Sequence, residues 1–454
     1  MQLPSSLIQS LNGLPGFDET AFVAVHRSGS QVTSVRINPR KISAPSFQTG
    51  MDPVPWSGLG YYLAHRPSFT FDPLFHAGCY YVQEASSMFL EQALKQTADL
   101  AKPLKVLDLC AAPGGKTTHL QSLISKDSLL VSNEVIRSRA AVLKDNVIKW
   151  GASNIAITNN DPGDFVMLPG FFDVMVVDAP CSGSGLFRRD EAAISEWSEH
   201  GVALCSQRQQ RILADVLPAL KEDGVLVYST CSYSKEEDED ILKWLDEEMG
   251  LEGIELNTEP GWNVIAVKEG SNFGYRFWPH RVKGEGLFMG VFRKKDTTGR
   301  LGKYRVKQKP LSAKEAGLLT NWIGTAERQF VSFGGRIYAW PESLFEALDL
   351  LAEKMKVIYS GVLVGELVRD KLIPDHALAL SGLVSGTVAR TSLSEDTAIH
   401  YLQRKDFVLE TAQKGWQLAV FDGHPMGWMN VLPNRINNYY PRELRILKEQ
   451  RPAE

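Results

Sequence analysis

KVLDLCAAPGGK, at residues 105–116, combines three signals of an α/β fold. Its apolar residues 106–109 predict a short strand, its proline and two glycines predict a tight turn, and a helix-forming stretch follows. Gly114 and Gly115 permit backbone angles that other residues disfavour, so main-chain N–H groups can approach a ligand at the positive end of the next helix. The stretch therefore predicts a nucleotide-like cofactor site, with an ordinary βα turn as the alternative.

Two phosphate-binding fingerprints are missing around this turn. A P-loop requires a glycine five residues before Gly115, where Cys110 stands, and the dinucleotide pattern G-x-G-x-x-G is absent. Glu134 follows the next predicted strand, where a carboxylate can accept hydrogen bonds from two ribose hydroxyls; an acid at a helix start is the alternative. Asp161, in the run Asn-Asn-Asp after the third strand, could accept the adenine amino group. These features favour S-adenosylmethionine, an adenosine cofactor without a pyrophosphate.

The alternation of strands and helical stretches around this turn predicts an α/β core with a Rossmann-like sheet. The predicted core strands are 106–109, 129–133, 155–158, 174–178, 225–230 and 287–292. A small α+β region precedes the core, with a helix at 7–11, strands at 22–25 and 34–37, and a helix that starts near Ser86 or Ser87. After a linker at 294–310, helices at 313–322 and 341–354, paired short strands within 357–367 and a β-rich end are predicted.

Composition narrows the class of protein. The chain has 454 residues, enough for two or three domains, and a formal charge of −4 that gives no overall signal for nucleic acid. Residues 293–454 are the basic part, with 24 Lys and Arg against 18 Asp and Glu. Arg36, Asn38, Arg40 and Lys41 form a second basic cluster, which is either solvated or in contact with RNA phosphates.

Cysteine use and hydropathy point to the cytoplasm. The five cysteines are odd in number and never form a C-x-x-C pair, so neither a disulfide framework nor a zinc site is predicted. No stretch approaches eighteen uninterrupted apolar residues. We expect a monomeric cytoplasmic protein with reduced thiols, no metal and no membrane partner.

Two cysteines follow predicted core strands. Cys181 lies in DAPCSGSGLFRRD, residues 178–190, three residues after Asp178, and Cys231 lies in YSTCSYSKEEDE, residues 228–239. The carboxyl ends of neighbouring parallel strands meet at one edge of a sheet, so both thiols should open into one cleft. A buried structural role is the alternative for each.

A pair of thiols suits methyl transfer to a pyrimidine. Carbon 5 of the ring is too weak a nucleophile to attack a methyl sulfonium unaided, and a cysteine thiolate that adds to carbon 6 makes carbon 5 enamine-like. An acidic group such as Asp178 must then stabilise charge on the ring, and a base must remove the carbon 5 proton. One cysteine would attack and the other would assist release, but spacing does not rank the two.

Four stretches resemble the Nop/Sun family of RNA cytosine carbon-5 methyltransferases: CAAPGGKT, DAPCSGSGLFRRD, YSTCS and RFWPHRVKGEGLF. The resemblance covers residues 30–293. The ending GWMNVLPNRINNYYP is similar to that of the bacterial RsmF-type branch, which acts on small-subunit (16S) rRNA and has a PUA-like tail. The resemblance implies four regions: an RNA-binding α+β region (1–85), a class I methyltransferase core (86–295), a pre-PUA α+β region (310–385) and a PUA-like RNA-binding region (386–454).

The resemblance also implies roles for single residues. Cys231 would be the nucleophile, Cys181 would assist release and Asp178 would lie near the cofactor and the target base. The cofactor-lining residues would be Cys110, Ala111, Ala112, Pro113, Gly114, Gly115, Lys116, Glu134, Asp161 and Asp178. His280 is a candidate general base, with a packed, hydrogen-bonded histidine as the alternative.

One position departs from the family pattern. Where the family often has P-E-E-N-E, this chain has KEEDE at 235–239, so Asp238 replaces an amide and puts a hydrogen bond at a helix start in doubt. The same chemistry on tRNA, or an idle RNA-binding module, remain alternative functions.

Overall fold

The computed structural model describes residues 2–42, 51–297, 299, 301–324, 327–409 and 413–449. Four sheets organise these residues, one in the N-terminal region, one in the core and two in the C-terminal half. None of the helices in the described part of the chain has the length and apolarity that a membrane span requires.

The N-terminal region is an antiparallel sheet with three helices. Its elements are α1 (Ser5–Leu11), α2 (Glu19–Arg27), β1 (Thr33–Ile37), β2 (Asp52–Pro53), β3 (Gly60–Leu63), α3 (Pro73–His76) and β4 (Tyr80–Val82). The strand order is β2-β3-β1-β4. The strand predicted at 22–25 is wrong, because Asp18 accepts a hydrogen bond from the Ala21 N–H and starts a helix that buries Phe22 and His26.

The core is a mixed sheet with helices on both faces. Its elements are α4 (Leu90–Thr97), β5 (Lys105–Asp108), α5 (Gly115–Leu123), β6 (Leu129–Asn133), α6 (Arg137–Trp150), β7 (Ile155–Thr158), β8 (Phe172–Asp178), α7 (Ala192–Glu196), α8 (Glu199–Val216), β9 (Leu220–Thr230), α9 (Glu239–Glu247), β10 (Leu251–Gly253), β11 (Ile265–Glu269), β12 (Asn272–Phe277) and β13 (Leu287–Lys294). Strands β9, β8, β5, β6 and β7 are parallel neighbours in that order, and β13, β12 and β11 extend the sheet antiparallel. The predicted Rossmann-like α/β core is therefore confirmed.

Two apolar layers cover this sheet. Leu107 and Met175 contribute to one layer, and Val106 and Val174 contribute to the other. The central strands are buried on both faces, as their nearly continuous apolar sequences require. Chain order reverses between β5 and β8, and ligands of such sheets bind at the carboxyl ends of the strands at that point.

The helix predicted to start near Ser86 or Ser87 begins later. Residues 80–82 form β4, a short 3₁₀ turn covers Ser86–Phe89, and α4 starts at Leu90. The Glu84 carboxylate accepts hydrogen bonds from the N–H groups of both serines, at 2.9 and 2.8 Å. This carboxylate, and not a serine hydroxyl, therefore caps the turn.

The C-terminal half supplies two more sheets. Its elements are α10 (Ala313–Gly317), β14 (Arg328–Phe333), β15 (Arg336–Pro341), α11 (Phe345–Lys354), β16 (Val357–Ser360), β17 (Val362–Val368), β18 (Lys371–Pro374), α12 (His376–Leu380), β19 (Ala389–Ser392), α13 (Glu395–Gln403), β20 (Gly415–Phe421), β21 (His424–Leu432) and β22 (Arg435–Asn438). The sheet orders are β14-β15-β17-β18 and β19-β20-β21-β22.

Strands β16 and β17 were predicted to pair with each other, and this prediction is wrong. Strand β17 lies between β15 and β18, whereas β16 pairs antiparallel with β7 and extends the core sheet. Gly361 takes a φ of 61°, and a Cβ there would lie 2.4 Å from the Ala339 carbonyl oxygen. A glycine between the strands therefore lets the chain change sheets within one residue.

Candidate active site

The two cysteines after β8 and β9 lie side by side. The Cys181 and Cys231 sulfur atoms are 2.9 Å apart, at the carboxyl edge of the parallel strands. The pKa of Cys181 is raised well above its ordinary value, first by the hydrogen bond with Cys231 and then by burial. Cys181 therefore keeps its proton near neutral pH and can donate it in a hydrogen bond to the Cys231 sulfur.

Asp178 ends β8 next to a buried lysine. Its carboxylate accepts a hydrogen bond from the Ser229 hydroxyl at 2.7 Å and lies 2.8 Å from the Lys116 Nζ. Burial opposes the charge of Lys116, but the Asp178 carboxylate outweighs it and raises the pKa of the lysine. The Asp178 side chain keeps 36% of its surface exposed. It can therefore accept a further hydrogen bond from a ligand.

Glu237 ties the two cysteine loops together. Its buried carboxylate accepts hydrogen bonds from the Ser182 N–H (2.8 Å), the Ser182 hydroxyl (2.5 Å), the Ser232 hydroxyl (2.6 Å) and the Gln209 amide (3.1 Å). Ser182 and Ser232 each follow one of the cysteines. Sequence analysis missed this role because an acidic run after a strand is typical of a solvated helix start; only the contact with residue 182 reveals it.

The glycine turn has a fixed shape. Gly114 takes a φ of 113°, which favours glycine, and a Cβ at this position would lie 3.3 Å from the Leu143 side chain. Arg139 donates a hydrogen bond to the Ala112 carbonyl oxygen at 2.9 Å, and Asn146 donates one to the Pro113 carbonyl oxygen at 2.8 Å. Side chains of α6 therefore hold the turn between β5 and α5.

Asp108 is a second site residue that sequence analysis did not single out. It ends β5 fully buried, its Oδ2 accepts a hydrogen bond from the Thr117 hydroxyl at 2.6 Å, and its Oδ1 has no hydrogen-bond partner among the residues that the structure describes. Burial raises the pKa of this carboxyl to about 7. The only sequence signal was an acid inside the apolar run VLDL.

Glu134 and Asp161 follow the next two strands and differ in environment. Glu134 is buried, its Oε1 accepts a hydrogen bond from the Ile136 N–H at 2.9 Å and its Oε2 lies 3.8 Å from the Arg139 Nε. Asp161 is about half exposed at 49% and caps a 3₁₀ turn by accepting from the Gly163 N–H. Glu134 is thus held beside the turn, whereas the Asp161 side chain is engaged in its own backbone.

The N-terminal region braces the cofactor turn from behind. Arg36 is buried and donates hydrogen bonds to the Gly115 carbonyl oxygen (3.4 Å) and to the hydroxyls of Thr118 (2.6 Å) and Ser122 (3.1 Å). Asn38 is also buried and donates to the Trp150 carbonyl oxygen at 3.0 Å. The prediction that these two residues are solvated or contact RNA is therefore wrong, because both bind the protein core.

Two buried ion pairs support the cysteine loops. Arg188, which follows Cys181 in the loop, lies 3.1 Å from the Glu285 carboxylate. Arg276 pairs with Glu239 and lies 3.2 Å from Asp238, whose other oxygen accepts a hydrogen bond from the Thr230 hydroxyl at 2.6 Å. Asp238 makes no side-chain cap on α9, so the doubt about that helix start was justified. Its carboxyl instead anchors the residue before Cys231.

His280 has the packed environment. Its ring lies against Phe17 and Trp278, with centroid separations of 6.5 and 6.0 Å, and its Nε2 lies 3.2 Å from the Gly16 carbonyl oxygen. Phe17 and Gly16 belong to the N-terminal segment, and Trp278 belongs to the core. They match the packed, hydrogen-bonded alternative.

Known proteins share this architecture. A methyltransferase homolog protein from Pyrococcus horikoshii has 27% sequence identity and a TM-score of 0.50, with 64% of this chain and 100% of that chain covered. NSun6 from the same organism has a TM-score of 0.53 at 19% identity, with 64% and 98% covered, and supports the fold alone. The fold and these neighbours define a Rossmann-type methyltransferase.

Sequence comparison narrows this class. Family models match "16S rRNA methyltransferase RsmB/F" at residues 95–293, the N-terminal domain of RsmF at 3–85, its first C-terminal domain at 313–381 and its PUA domain at 388–446. The ribosomal RNA small subunit methyltransferase F of Aeromonas salmonicida is 31% identical, with 90% of each chain covered. That of Psychromonas ingrahamii is 30% identical, with 98% and 97% covered. The chain belongs to the RsmF family of methyltransferases.

Proposed function

We propose that this protein transfers a methyl group from S-adenosylmethionine to carbon 5 of a cytosine in small-subunit (16S) rRNA, in the cytoplasm. The observation that carries the proposal is the 2.9 Å separation of the Cys181 and Cys231 sulfur atoms at the switch point of the sheet. A methyltransferase that acts on oxygen or nitrogen atoms, which carry lone pairs, needs no thiol, whereas carbon 5 of cytosine needs a covalent activator.

Cys231 takes the role of nucleophile. Its thiolate bonds to carbon 6 and breaks the π bond between carbons 5 and 6, so that the electron pair becomes available at carbon 5. The raised pKa of Cys181 supports this division of roles, because the protonated thiol can donate a hydrogen bond to its neighbour. Carbon 5 uses this electron pair to bond to the methyl group, whose bond to the sulfonium sulfur breaks. A base then takes the carbon 5 proton, the electrons of that C–H bond re-form the double bond between carbons 5 and 6, and Cys231 leaves as a thiolate that Cys181 stabilises by a hydrogen bond.

Asp178 and Lys116 orient the base. The exposed face of the Asp178 carboxylate can accept a hydrogen bond from the amino group of cytosine, while Ser229 and Lys116 hold the carboxylate in place. A uracil offers no donor at that position. The pair therefore favours cytosine over uracil, and the target base must be flipped or unpaired to reach it.

The turn after β5 fits the methyl donor. S-adenosylmethionine, when bound, supplies the methyl group on a positively charged sulfur. Cys110 to Lys116 would line it, Glu134 would accept from the ribose, Asp161 would lie at the adenine, and Asp178 would lie near both cofactor and base. The unpartnered Asp108 Oδ1, buried beneath this turn, supports a polar ligand there.

Two variants test the proposed chemistry. Cys181→Ala should form the bond to carbon 6 but release it slowly, so a protein–RNA adduct should accumulate on a denaturing gel. Cys231→Ser should bind S-adenosylmethionine but transfer no methyl group and form no adduct. The double variant Cys181→Ala/Cys231→Ser should behave in the same way. A free protein band for Cys181→Ala, or turnover by Cys231→Ser, would overturn the two-thiol scheme.

Bisulfite sequencing tests the substrate. RNA from a strain that lacks this gene should lose 5-methylcytosine at one or more positions of 16S rRNA and nowhere in tRNA. A loss confined to tRNA would leave the chemistry intact and replace the substrate. No loss in either RNA, combined with binding of rRNA by the protein, would indicate an idle binding module.

A further inference from the structure

A groove with cationic walls lies where all four regions of the chain meet. It encloses about 460 Å³. Arg40 and Lys41 come from the segment after β1, Gly151 from the end of α6, Arg328 from the start of β14, and Arg390 from β19. Four cationic side chains from three regions therefore converge on one space, beside a wall of the core.

The charge of the groove is not neutralised by the protein. Its lining residues include His424 and no Asp or Glu. Within the described residues, none of the four cations forms an ion pair with a carboxylate. The Arg328 Nε is buried without a hydrogen-bond partner. Burial, and then the repulsion of Arg328, lowers the pKa of Arg40, so the two guanidinium groups are close enough to repel each other.

The walls are rigid. The Lys41 Nζ donates hydrogen bonds to the carbonyl oxygens of Ala77 (2.6 Å) and Lys149 (2.7 Å). Gly151 has a φ of 82°, and a Cβ there would lie 2.3 Å from the Leu380 carbonyl oxygen, so core and third region are in direct backbone contact. A concentration of positive charge on a fixed frame costs stability unless an anion binds to it.

The lining favours phosphate over bases. Trp150 is the only Trp, Tyr or Phe among the lining residues, and it is 2% exposed, with the Arg36 guanidinium 4.6 Å from its ring centroid. Among the described residues of the lining, no aromatic surface is thus open for stacking on a base, which is how proteins commonly hold unpaired nucleotides. Arginine and lysine without such a platform are typical of contacts to the sugar-phosphate backbone.

The groove is remote from the thiols. Helix α6 starts just after Glu134 and runs for 14 residues to Trp150, so its two ends are about 20 Å apart at 1.5 Å per residue. Helix α6 runs back from the carboxyl edge of the sheet, where the thiols lie, to the start of β7, so the groove at its last residue lies at the opposite edge. A ligand that fills both must be extended, which a long RNA is and a nucleotide is not.

From this juxtaposition we propose that Arg40, Lys41, Arg328 and Arg390 form a distal anchor for the phosphodiester backbone of the RNA substrate, at the opposite edge of the core sheet from the two thiols. The inference rests on the proposed function. It adds that part of the RNA affinity comes from a site that takes no part in the chemistry and reads no base.

Charge reversal tests the anchor. Arg328→Glu/Arg390→Glu changes two groove cations that make no hydrogen bond to another region, and Lys314→Glu/Lys371→Glu is a matched control at exposed positions outside the groove. Each protein is titrated with deproteinised small-subunit rRNA and with a short cytosine-containing oligonucleotide that fills the cleft alone. The groove variant should bind the long RNA at least about ten-fold more weakly than the wild type. The slope of the logarithm of the binding constant against the logarithm of the salt concentration should become shallower by about 0.7 for each lost phosphate contact.

Other readouts separate the anchor from the reaction. In the groove variant, binding of S-adenosylmethionine, affinity for the short oligonucleotide and kcat at saturating rRNA should match the wild type, while KM for rRNA rises. Unchanged affinity for long RNA would overturn the anchor and leave the methyltransferase proposal standing. If the wild-type protein binds rRNA through the groove but does not methylate it, the methyltransferase proposal fails and the anchor stands.

An acidic ribosomal protein is the competing occupant. The same titration with assembled small subunits distinguishes the two. If the groove variant loses affinity for subunits but not for deproteinised rRNA, the groove binds protein and the anchor proposal fails.

Discussion

At the level of single residues, the site depends on buried carboxyl groups with unlike tasks. Glu237 accepts four hydrogen bonds and fixes the spacing of two loops, whereas Asp108 leaves one oxygen without a partner. The first is satisfied by the protein, and the second is open to a ligand. Asp178, partly exposed, lies between these extremes and faces the substrate side.

Glu237 should act as a positioning residue. In Glu237→Gln an amide N–H2 replaces one acceptor and faces donors from the two serines, which loosens the cysteine loops at a cost of about 1–3 kcal/mol. We expect slower product release and a covalent RNA adduct on a denaturing gel, as for Cys181→Ala. The exposed neighbour gives the control Glu236→Gln, which should behave as wild type. Reduced stability without any adduct would assign Glu237 a purely structural role.

Asp108 should make the cofactor-free protein less stable as the pH rises. Its folded pKa of about 7 exceeds the ordinary value near 3.9, so between these values the folded chain holds a proton that the unfolded chain releases. The free energy of unfolding then falls by up to about 1.4 kcal/mol per pH unit across this window. Urea unfolding of wild type and Asp108→Asn at pH 5, 6 and 7 should show a shallower decline in the variant, and parallel curves would contradict the assignment.

At the level of elements, burial on both faces made the core predictable. The strands at 129–133 and 155–158 match the structure residue for residue, because apolar runs between helical stretches have few other solutions. The short run at 22–25 is equally apolar, yet it lies in a helix set by Asp18. Three features could not be predicted because they depend on contacts between segments far apart in the chain, which no local pattern encodes. They are the pairing of β16 with β7, the hydrogen bonds of Glu237 and the burial of Arg36.

The glycine turn gives a prediction for Gly114, with the neighbouring Gly115 as the control position. Gly114→Ala must place a side chain at a φ of 113° and against Leu143, at a cost of about 1–2 kcal/mol, whereas Gly115 has ordinary angles and its nearest neighbour to a Cβ is 3.5 Å away. Isothermal titration with S-adenosylmethionine should show weakened binding for Gly114→Ala and near wild-type binding for Gly115→Ala. Equal affinities would mean that the turn tolerates a shift.

At the level of the whole molecule, the regions share their cores. Val35 and Ile37 of β1 pack in one cluster with Tyr401 and Met426 of the last region. Trp340 of the third region packs in the same cluster as Met175 of the core. The first and last parts of the chain therefore stabilise each other, and the four regions are sections of one packed body.

Hydrogen exchange can measure this coupling. Tyr401→Ala removes a fully buried ring from the shared cluster, at a cost of about 2–5 kcal/mol, and should speed amide exchange in β1 as well as in α13. Leu319→Ala makes a smaller cavity, in a cluster without N-terminal members, and should leave β1 protected. Unchanged exchange in β1 in the Tyr401 variant would show that the two ends fold independently.

Strand β16 belongs to the third region of the chain but extends the sheet that holds the active site. By pairing residues 357–360 with 156–158 it occupies the outer edge of β7, whose sequence IAIT contains no charged residue. A truncated enzyme that ends near residue 295 would expose the edge of β7. An exposed edge strand can pair with the same strand of another copy, so the truncated protein should aggregate into fibres or inclusion bodies. A shortened version of this methyltransferase should therefore keep residues 357–360, or a strand grafted in their place, at the edge of β7.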